Sequence, residues 1–359
     1  RGAEKNNFLM NLFLQNEEED KRLKELYKLN PTAFEKEIAH TKKRLLTDLD
    51  GFIISEKPSE AFIHIALANI NYNYYSRKEL YLSSKKRANN NNKIKYPENF
   101  FTYRDSLDLN DNTLKNYYTY HQFINRYLDN LAYQGHTKKE PTFNKISYEH
   151  QIQKLKLIDS LITNKQLHDN LLQNTVKRYL VHADDSQKEH DLVVLFKNLD
   201  HNEAHQKEVE RYAYNTSKIN AGELIPNLAL ITGHNEITSL QKINASKTVF
   251  FFWNTKSVKH YKEIHVRIAD LKTKYPEYAF VGINTGTDFS AWNQTVISSG
   301  YNQANEYQLK NSTAAKNALF INSANKAMIV DKGGIILEGN SNLFNQNFES
   351  LLLGYLNKK

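Results

Sequence analysis

The sequence predicts a chain of two folding classes. An all-helical region spans residues 1–215, and an α/β region spans residues 216–359, where a mixed sheet carries helices on its faces. Three observations predict this. Glycine is scarce early: residues 1–220 hold only Gly2, Gly51 and Gly135, and the other nine of the 12 lie beyond. The early apolar residues recur at the 3.6-residue period of a helix. The later ones fall in short β-rich runs, separated by one long helical stripe and punctuated by glycine and proline.

Taken in order, Pro31 and Pro58 each precede a helical pattern, where the first turn tolerates proline. The asparagine run 89–92 reads as a loop by composition. One stripe holds Leu114, Tyr117, Tyr118, His121, Ile124, Tyr127, Leu128 and Leu131. A second holds Tyr148, Ile152, Leu155, Ile158 and Ile162, and a third Leu167, Leu171, Leu172, Val176 and Tyr179. Many of the 22 tyrosines lie in this half. Tyrosine suits either a helical core with wet edges or an interaction surface, because its ring is apolar and its tip is polar.

In the second region, Lys247–Trp253 reads as a strand. Its run Val249–Phe252 is apolar on both faces, so it belongs in the middle of a sheet. Ser257–Tyr275 reads as a helix that Pro276 stops. Tyr278–Ile283, Leu319–Ile321, Ala327–Val330 and Ile335–Leu337 read as strands. The last two are joined by "DKGG" at 331–334, a turn whose glycines can supply positive φ. Leu343–Leu356 reads as a closing amphipathic helix.

Four segments of this region, "AGELIPNLAL", "KTVFFFWNTKSVKH", "YAFVGINTGTDFSAW" and "AMIVDKGGII", follow one another at ordinary spacings. Together they resemble the thioredoxin fold, specifically the TlpA/ResA-like branch of bacterial envelope thiol–disulfide oxidoreductases. Residues 100–131 are similar to the helical region preceding the thioredoxin domain in some multidomain members. The family's two active-site cysteines align with Ser257 and His260, and its cis-proline with Asn325 to within a residue or two. The chain has Cys 0. A disulfide exchange needs a thiolate, commonly one whose pKa a helix N-terminus lowers, and a serine hydroxyl cannot replace it. A cis bond before a non-proline residue costs about 2.5–4 kcal/mol, so a trans peptide is expected at Asn325.

The resemblance therefore implies a redox-inactive, non-enzymatic module, without a cofactor, that keeps the family's peptide groove. Trp253, Thr255, Lys256 and Lys259 are the candidate partner-binding residues. It also implies a periplasmic or outer-membrane-associated setting in a diderm bacterium, with a protein partner in an envelope complex. The first residue is Arg1, not Met, so removal of a signal or anchor segment is compatible with this setting.

Other chemistry competes with plainer roles. Ser257 and His260 could form a dyad, but a helix N-cap is the simpler role for Ser257, with its oxygen accepting from a first-turn N–H. His201 and His205 have the i, i+4 spacing of metal ligands, with His182, Asp184, Asp185 and His190 nearby. They support the alternative of a hydrolytic or metal-dependent enzyme on the helical region. "VGINTGTDF" lacks the lysine of a phosphate loop. "DSL" occurs twice, and Ser106 and Ser160 are candidate O-glycosylation sites. The formal charge is +8 with pI ≈ 9.1. Basic residues sit mostly beside acids, and "SKKR" at 84–87 is the densest cluster, so a solvated surface is favoured over nucleic-acid binding. No apolar run reaches the ~18 residues of a membrane span.

Overall fold

The computed structural model describes residues 2–87, 94–136, 138–140, 142–183, 185–244 and 246–357. The asparagine run 89–92 and Asp184 lie outside the described residues. Contacts group the chain into two compact units. The first is the chain up to Tyr179 together with Val194–Asn202, and the second is Leu180–Val193 together with Glu203–Lys359.

The first unit is helical. It contains α1 (Ala3–Leu26), α2 (Pro31–Glu56), α3 (Glu60–Arg87), a 3-10 segment (Glu98–Ser106), α4 (Tyr118–His136), α5 (Tyr148–Leu161) and nearly all of α6 (Lys165–Leu180). Local chemistry sets several ends. Asn30 accepts from the Ala33 N–H with Pro31 in the first turn, and Ser147 likewise caps α5 through the His150 N–H. Lys57 closes α2 at φ 43, just ahead of Pro58.

The stripe expected from Leu114 is shifted, because α4 begins only at Tyr118. Its buried side is Tyr120, Phe123, Ile124, Leu128 and Ala132, and Tyr118 is exposed. The unit also buries charge. The Glu79 carboxylate is fully buried, where it accepts from Arg104 Nη2 at 2.7 Å, from Asn130 Nδ2 at 2.6 Å and from the Tyr103 hydroxyl. A charge taken out of water persists only when its lone pairs are met in this way. In the "SKKR" cluster, Lys86 reaches Asn130 Oδ1 at 3.1 Å and lies over the Tyr133 ring. Burial brings its ammonium down to about 8.

The second unit holds part of α7 (Ser186–Leu199), then α8 (Glu203–Ser217) and a seven-stranded mixed sheet. The strands are β1 (Ala229–Ile231), β2 (Ile237–Ser239), β3 (Thr248–Trp253), β4 (Ala279–Asn284), β5 (Glu306–Leu309), β6 (Lys326–Val330) and β7 (Ile336–Asn342). Their order is β2-β1-β5-β4-β3-β6-β7. β3 and β4 are parallel, as are β4 and β5, and the other neighbours are antiparallel. All six residues of β3 are buried. Val249, Phe251 and Trp253 face one core with Ile264, Ile268 and Leu271 of α9 (Val258–Lys274) and with Phe348 and Leu352 of α12 (Phe348–Asn357). Phe250 and Phe252 face the other core with Leu319, Met328 and Ile336.

Three expectations are corrected. Leu319–Ile321 is not a strand: α11 (Ser312–Ala318) runs up to it from an Asn311 cap, and Phe320 turns at φ 49. The closing helix starts at Phe348 rather than Leu343, because β7 continues to Asn342 and Leu343 N–H donates to the Asn325 carbonyl. In the "DKGG" turn only Gly334 has positive φ. The Asp331 side chain accepts from the Gly333 and Ile335 N–H groups and so shapes the rest. The short strands β1 and β2, the strand β5 and the helix α10 (Phe289–Ser298) are additions to the sequence reading.

Gly339 in β7 faces a backbone wall, since a Cβ there would lie 1.7 Å from the Ile219 carbonyl oxygen. Gly339→Ala is expected to cost about 3 kcal/mol or more, at or above the usual range for overpacking. Gly354→Ala, in open space on α12, is expected to add up to about 1 kcal/mol. Urea unfolding of both variants checks the contrast.

Candidate functional site

The site is the loop between β3 and α9 together with the residues facing it. Trp253 ends the strand, and the chain turns on Asn254. The Asn254 carboxamide accepts from Lys256 N–H at 3.0 Å and donates to the Thr285 hydroxyl at 3.3 Å, while its carbonyl accepts from Ser257 N–H at 3.0 Å. Ser257 stands at the N-cap of α9, yet its side chain makes no cap bond. Its ψ is 68, whereas the capping residues Asn30 and Ser147 have ψ 162 and 151. The expected Ser257 cap bond is therefore absent, because the backbone does not adopt the extended cap geometry.

His260, one turn into α9, points elsewhere. Its Nε2 lies 3.0 Å from the Asn325 side-chain oxygen, which makes Nε2 the donor and leaves it no role as a base toward Ser257. Asn325 sits where β6 begins. Its carbonyl is taken by Leu343 N–H at 2.9 Å, and the described residues contain no cis peptide. His260 and Asn325, which are 65 residues apart in sequence, thus meet through a side-chain hydrogen bond. The next residue, Lys326, is buried and donates to Asn340 Oδ1 at 3.0 Å. Burial brings its ammonium down to about 7, with Glu338 opposing.

A second layer lies beneath the loop. Trp253 Nε1 donates to Glu306 Oε2 at 2.9 Å, and His265 Nε2 lies 3.2 Å from Glu306 Oε1. His265 Nδ1 donates to the Tyr261 carbonyl at 2.7 Å, and its ring stacks on Tyr301 with centroids 3.7 Å apart. Gly282 of β4 leaves room for the carboxylate, since a Cβ there would stand 2.2 Å from Glu306 Oε2. This layer is absent from the sequence reading. Glu306 lies in the polar run "ANEYQL", which carries no strand signal. His265 could have been found, because it falls four residues after Tyr261 on the buried side of α9.

Of the expected partner-binding residues, Trp253 is corrected. Its ring is only 2% exposed and belongs to the core, because β3 packs against α9 on that face. Thr255 is half-buried, and Lys256 and Lys259 are exposed. The histidine pair is also corrected. α8 begins at Glu203, so His201 precedes the helix and does not share a helical face with His205. The Asp200 carboxylate accepts from Asn202 N–H and holds the chain outside the helix at that point. His182 and His190 are exposed, and Asp185 is used as a cap, accepting from Gln187 and Lys188 N–H groups. Ser106 is exposed at the end of the 3-10 segment. Ser160 is exposed in the last turn of α5, donating to the Leu157 carbonyl at 3.2 Å.

No family model matches the chain, and neither does any curated protein. Solved structures do match it. A thioredoxin-like protein from Bacteroides caccae is similar at 12% identity with a TM-score of 0.36, over 64% of this chain and 93% of that one. The thioredoxin domain of a thiol-disulfide oxidoreductase from Bacteroides vulgatus is similar at 16% identity with a TM-score of 0.31, over 38% of this chain and 98% of that one. The fold is an N-terminal helical region followed by a mixed sheet with flanking helices.

Glu306→Ala would leave the Trp253 indole N–H and the His265 ring N–H buried without an acceptor. At about 1–3 kcal/mol per orphaned group, a loss of about 2–4 kcal/mol is expected, read from the urea midpoint by tryptophan fluorescence. Glu306→Gln, which keeps one carbonyl acceptor, should lose less.

Proposed function

We propose that this protein is a non-catalytic member of the TlpA/ResA-like thioredoxin group that holds a protein partner in the bacterial envelope. Residues 216–359 form the holding module, and the helical region, residues 1–215, adds further surface. The observation that carries this reading is the His260–Asn325 bond at 3.0 Å in a chain with Cys 0. On this reading one position of the redox pair, His260, is bonded to the residue that stands for the cis-proline, Asn325, and the other is a serine. An imidazole and an amide offer no redox couple near neutral pH.

What remains is a supported loop with two exposed cations, Lys256 and Lys259, the second only loosely paired with Glu263 at 3.9 Å. Such a surface suits an extended peptide with acidic residues, held by backbone contacts and steered by charge. A periplasmic or outer-membrane-associated location in a diderm bacterium and membership of an envelope complex belong to the same proposal. Among the described residues no helix is long and apolar enough to cross a membrane.

Two experiments test the reading. In an insulin-reduction assay with dithiothreitol the protein should give the buffer rate, and a clear acceleration would refute it. After mild oxidation Ser257→Cys/His260→Cys should hold an intramolecular disulfide, read as loss of two free thiols, because Ser257 is the N-cap of α9 and His260 lies in its first turn. A folded double variant that stays reduced would mean the turn does not correspond to the redox turn. For the partner, tagged protein should co-purify from envelope extract with one or a few proteins at near-equal amounts. Lys256→Glu/Lys259→Glu should lower that recovery by about tenfold, the effect of ~1.4 kcal/mol, with no change in melting temperature. Retrieval of no partner, together with turnover of a small substrate, would replace the reading with an enzymatic one.

A further inference from the structure

The helical unit contains a buried chain of titratable groups with no part in the reading above. Asp129 and His136 lie on α4, and His150 and Lys154 on α5. All four are at most 2% exposed. His150 Nε2 lies 3.3 Å from Asp129 Oδ1, and His150 Nδ1 lies 3.1 Å from His136 Nε2. Asp129 also accepts from Lys154 at 2.6 Å and pairs with Lys145 at 3.0 Å. Burial works to raise its pKa, but Lys154, the His150 bond and Lys145 outweigh that and hold its carboxyl well below the usual range.

With Asp129 ionised and both imidazoles neutral, every other proton in the row is fixed. His150 must present Nε2–H to the carboxylate, which leaves Nδ1 as an acceptor. His136 must then donate from Nε2, which leaves its own Nδ1 bare. That atom is buried and has no hydrogen-bond partner. Its nearest acid is Glu140, with Oε2 at 3.9 Å. Glu140 in turn accepts from the Ser147 hydroxyl at 2.5 Å, and Ser147 caps α5 through the His150 N–H at 3.4 Å. The row and the cap thus form a closed loop joining the end of α4 to the start of α5.

We propose that Asp129, His150 and His136 form a one-proton acid switch, in which a proton taken up at His136 Nδ1 draws Glu140 away from Ser147 and loosens the first turn of α5. The surroundings oppose a proton that stays buried. Lys145 and Lys154 face the row directly, and Arg178 of α6 acts on Lys154. Lys86 and Arg87 of α3 stand over the Tyr133 and Phe143 rings beside it. Two carboxylates act on His136: Glu140, and less strongly Glu149, which is paired with Lys139. Protonation is therefore coupled to opening rather than absorbed in place.

The direction follows from His136. Burial first, then the neighbouring His150, hold it below the ordinary imidazole value of 6.5, with Glu140 opposing. A group whose folded-state pKa is depressed contributes stability that is present above its unfolded value and lost as the pH falls below it. The His136 contribution thus fades below pH 6.5. That of Asp129 is lost only below the ordinary aspartate value of 3.8. The interval between belongs to the histidine.

The test uses the full chain with ¹³C-labelled histidine. Imidazole resonances are followed between about pH 7.5 and 5, alongside amide exchange of Tyr148–Gln151 corrected for the intrinsic pH dependence. His136 should titrate below 6.5, and protection of that turn should fall about tenfold with the same midpoint. In His136→Gln the amide still donates to His150 Nδ1 and position 136 no longer takes up a proton, so protection should stay flat. In Glu140→Gln the midpoint should drop by about half a unit, a roughly threefold loss of proton affinity. Constant protection in the parent protein across the His136 midpoint, or the same loss in His136→Gln, overturns the switch. If His136→Gln does not fold, Glu140→Gln decides: an unshifted midpoint overturns the proposal and a lowered one supports it.

Discussion

Complete burial of β3 is the constraint on which the second unit rests. Six successive side chains leave water, and because neighbours in a strand point to opposite faces, apolar cover is needed on both sides at once. One face is covered by α9 and α12, and the other is lined by Leu319, Met328 and Ile336. A strand in that position must also pair along both edges, which it does with β4 and β6. At about 25 cal/mol per Å² of apolar surface removed from water, three phenylalanines and a tryptophan make this the centre around which the other strands are ordered.

The same packing decides what the loop beyond β3 can do. With Trp253 drawn into the core and tied to Glu306, the chain leaves the strand at a fixed point, and Asn254 turns it into α9. The loop is therefore held from below by buried polar groups and from the side by the His260–Asn325 bond. Rigidity here does not depend on a disulfide. A loop preorganised in this way has less conformational entropy left to lose than a free one.

The two units treat charge differently. In the helical unit, carboxylates at Glu79 and Asp129 are buried among cations, and several hydrogen bonds satisfy each of them. Arrangements of that kind contribute little net stability compared with apolar packing, but removing one member leaves a buried charge alone. The helical register is thus tied to specific side chains as well as to apolar stripes. In the second unit the buried His265–Glu306 contact at 3.2 Å plays the corresponding role beneath the site.

Much of this was legible in the sequence. The period of two or 3.6 residues in an apolar run reflects where a side chain points, so β3, β4, α9, α5 and α6 could be read from Phe250, Ile283, Ile268, Leu155 and Leu171. The lack of cysteine removed thiol chemistry without any structure. Other features have no local signal. β5 is the tetrapeptide "EYQL", which becomes a strand because β4 and β1 flank it. Trp253 reads as a surface residue beside a polar turn, and only the packing of α9 shows that it is buried. His201 and His205 have the right spacing, but the Asp200 turn delays the helix past the first of them. The meetings of Glu306 with Trp253 and of Asn325 with His260 span 53 and 65 residues. Composition and periodicity fix which faces must be buried, whereas which polar groups then meet across a core is set by the fold, where a buried donor must find its acceptor at whatever distance along the chain.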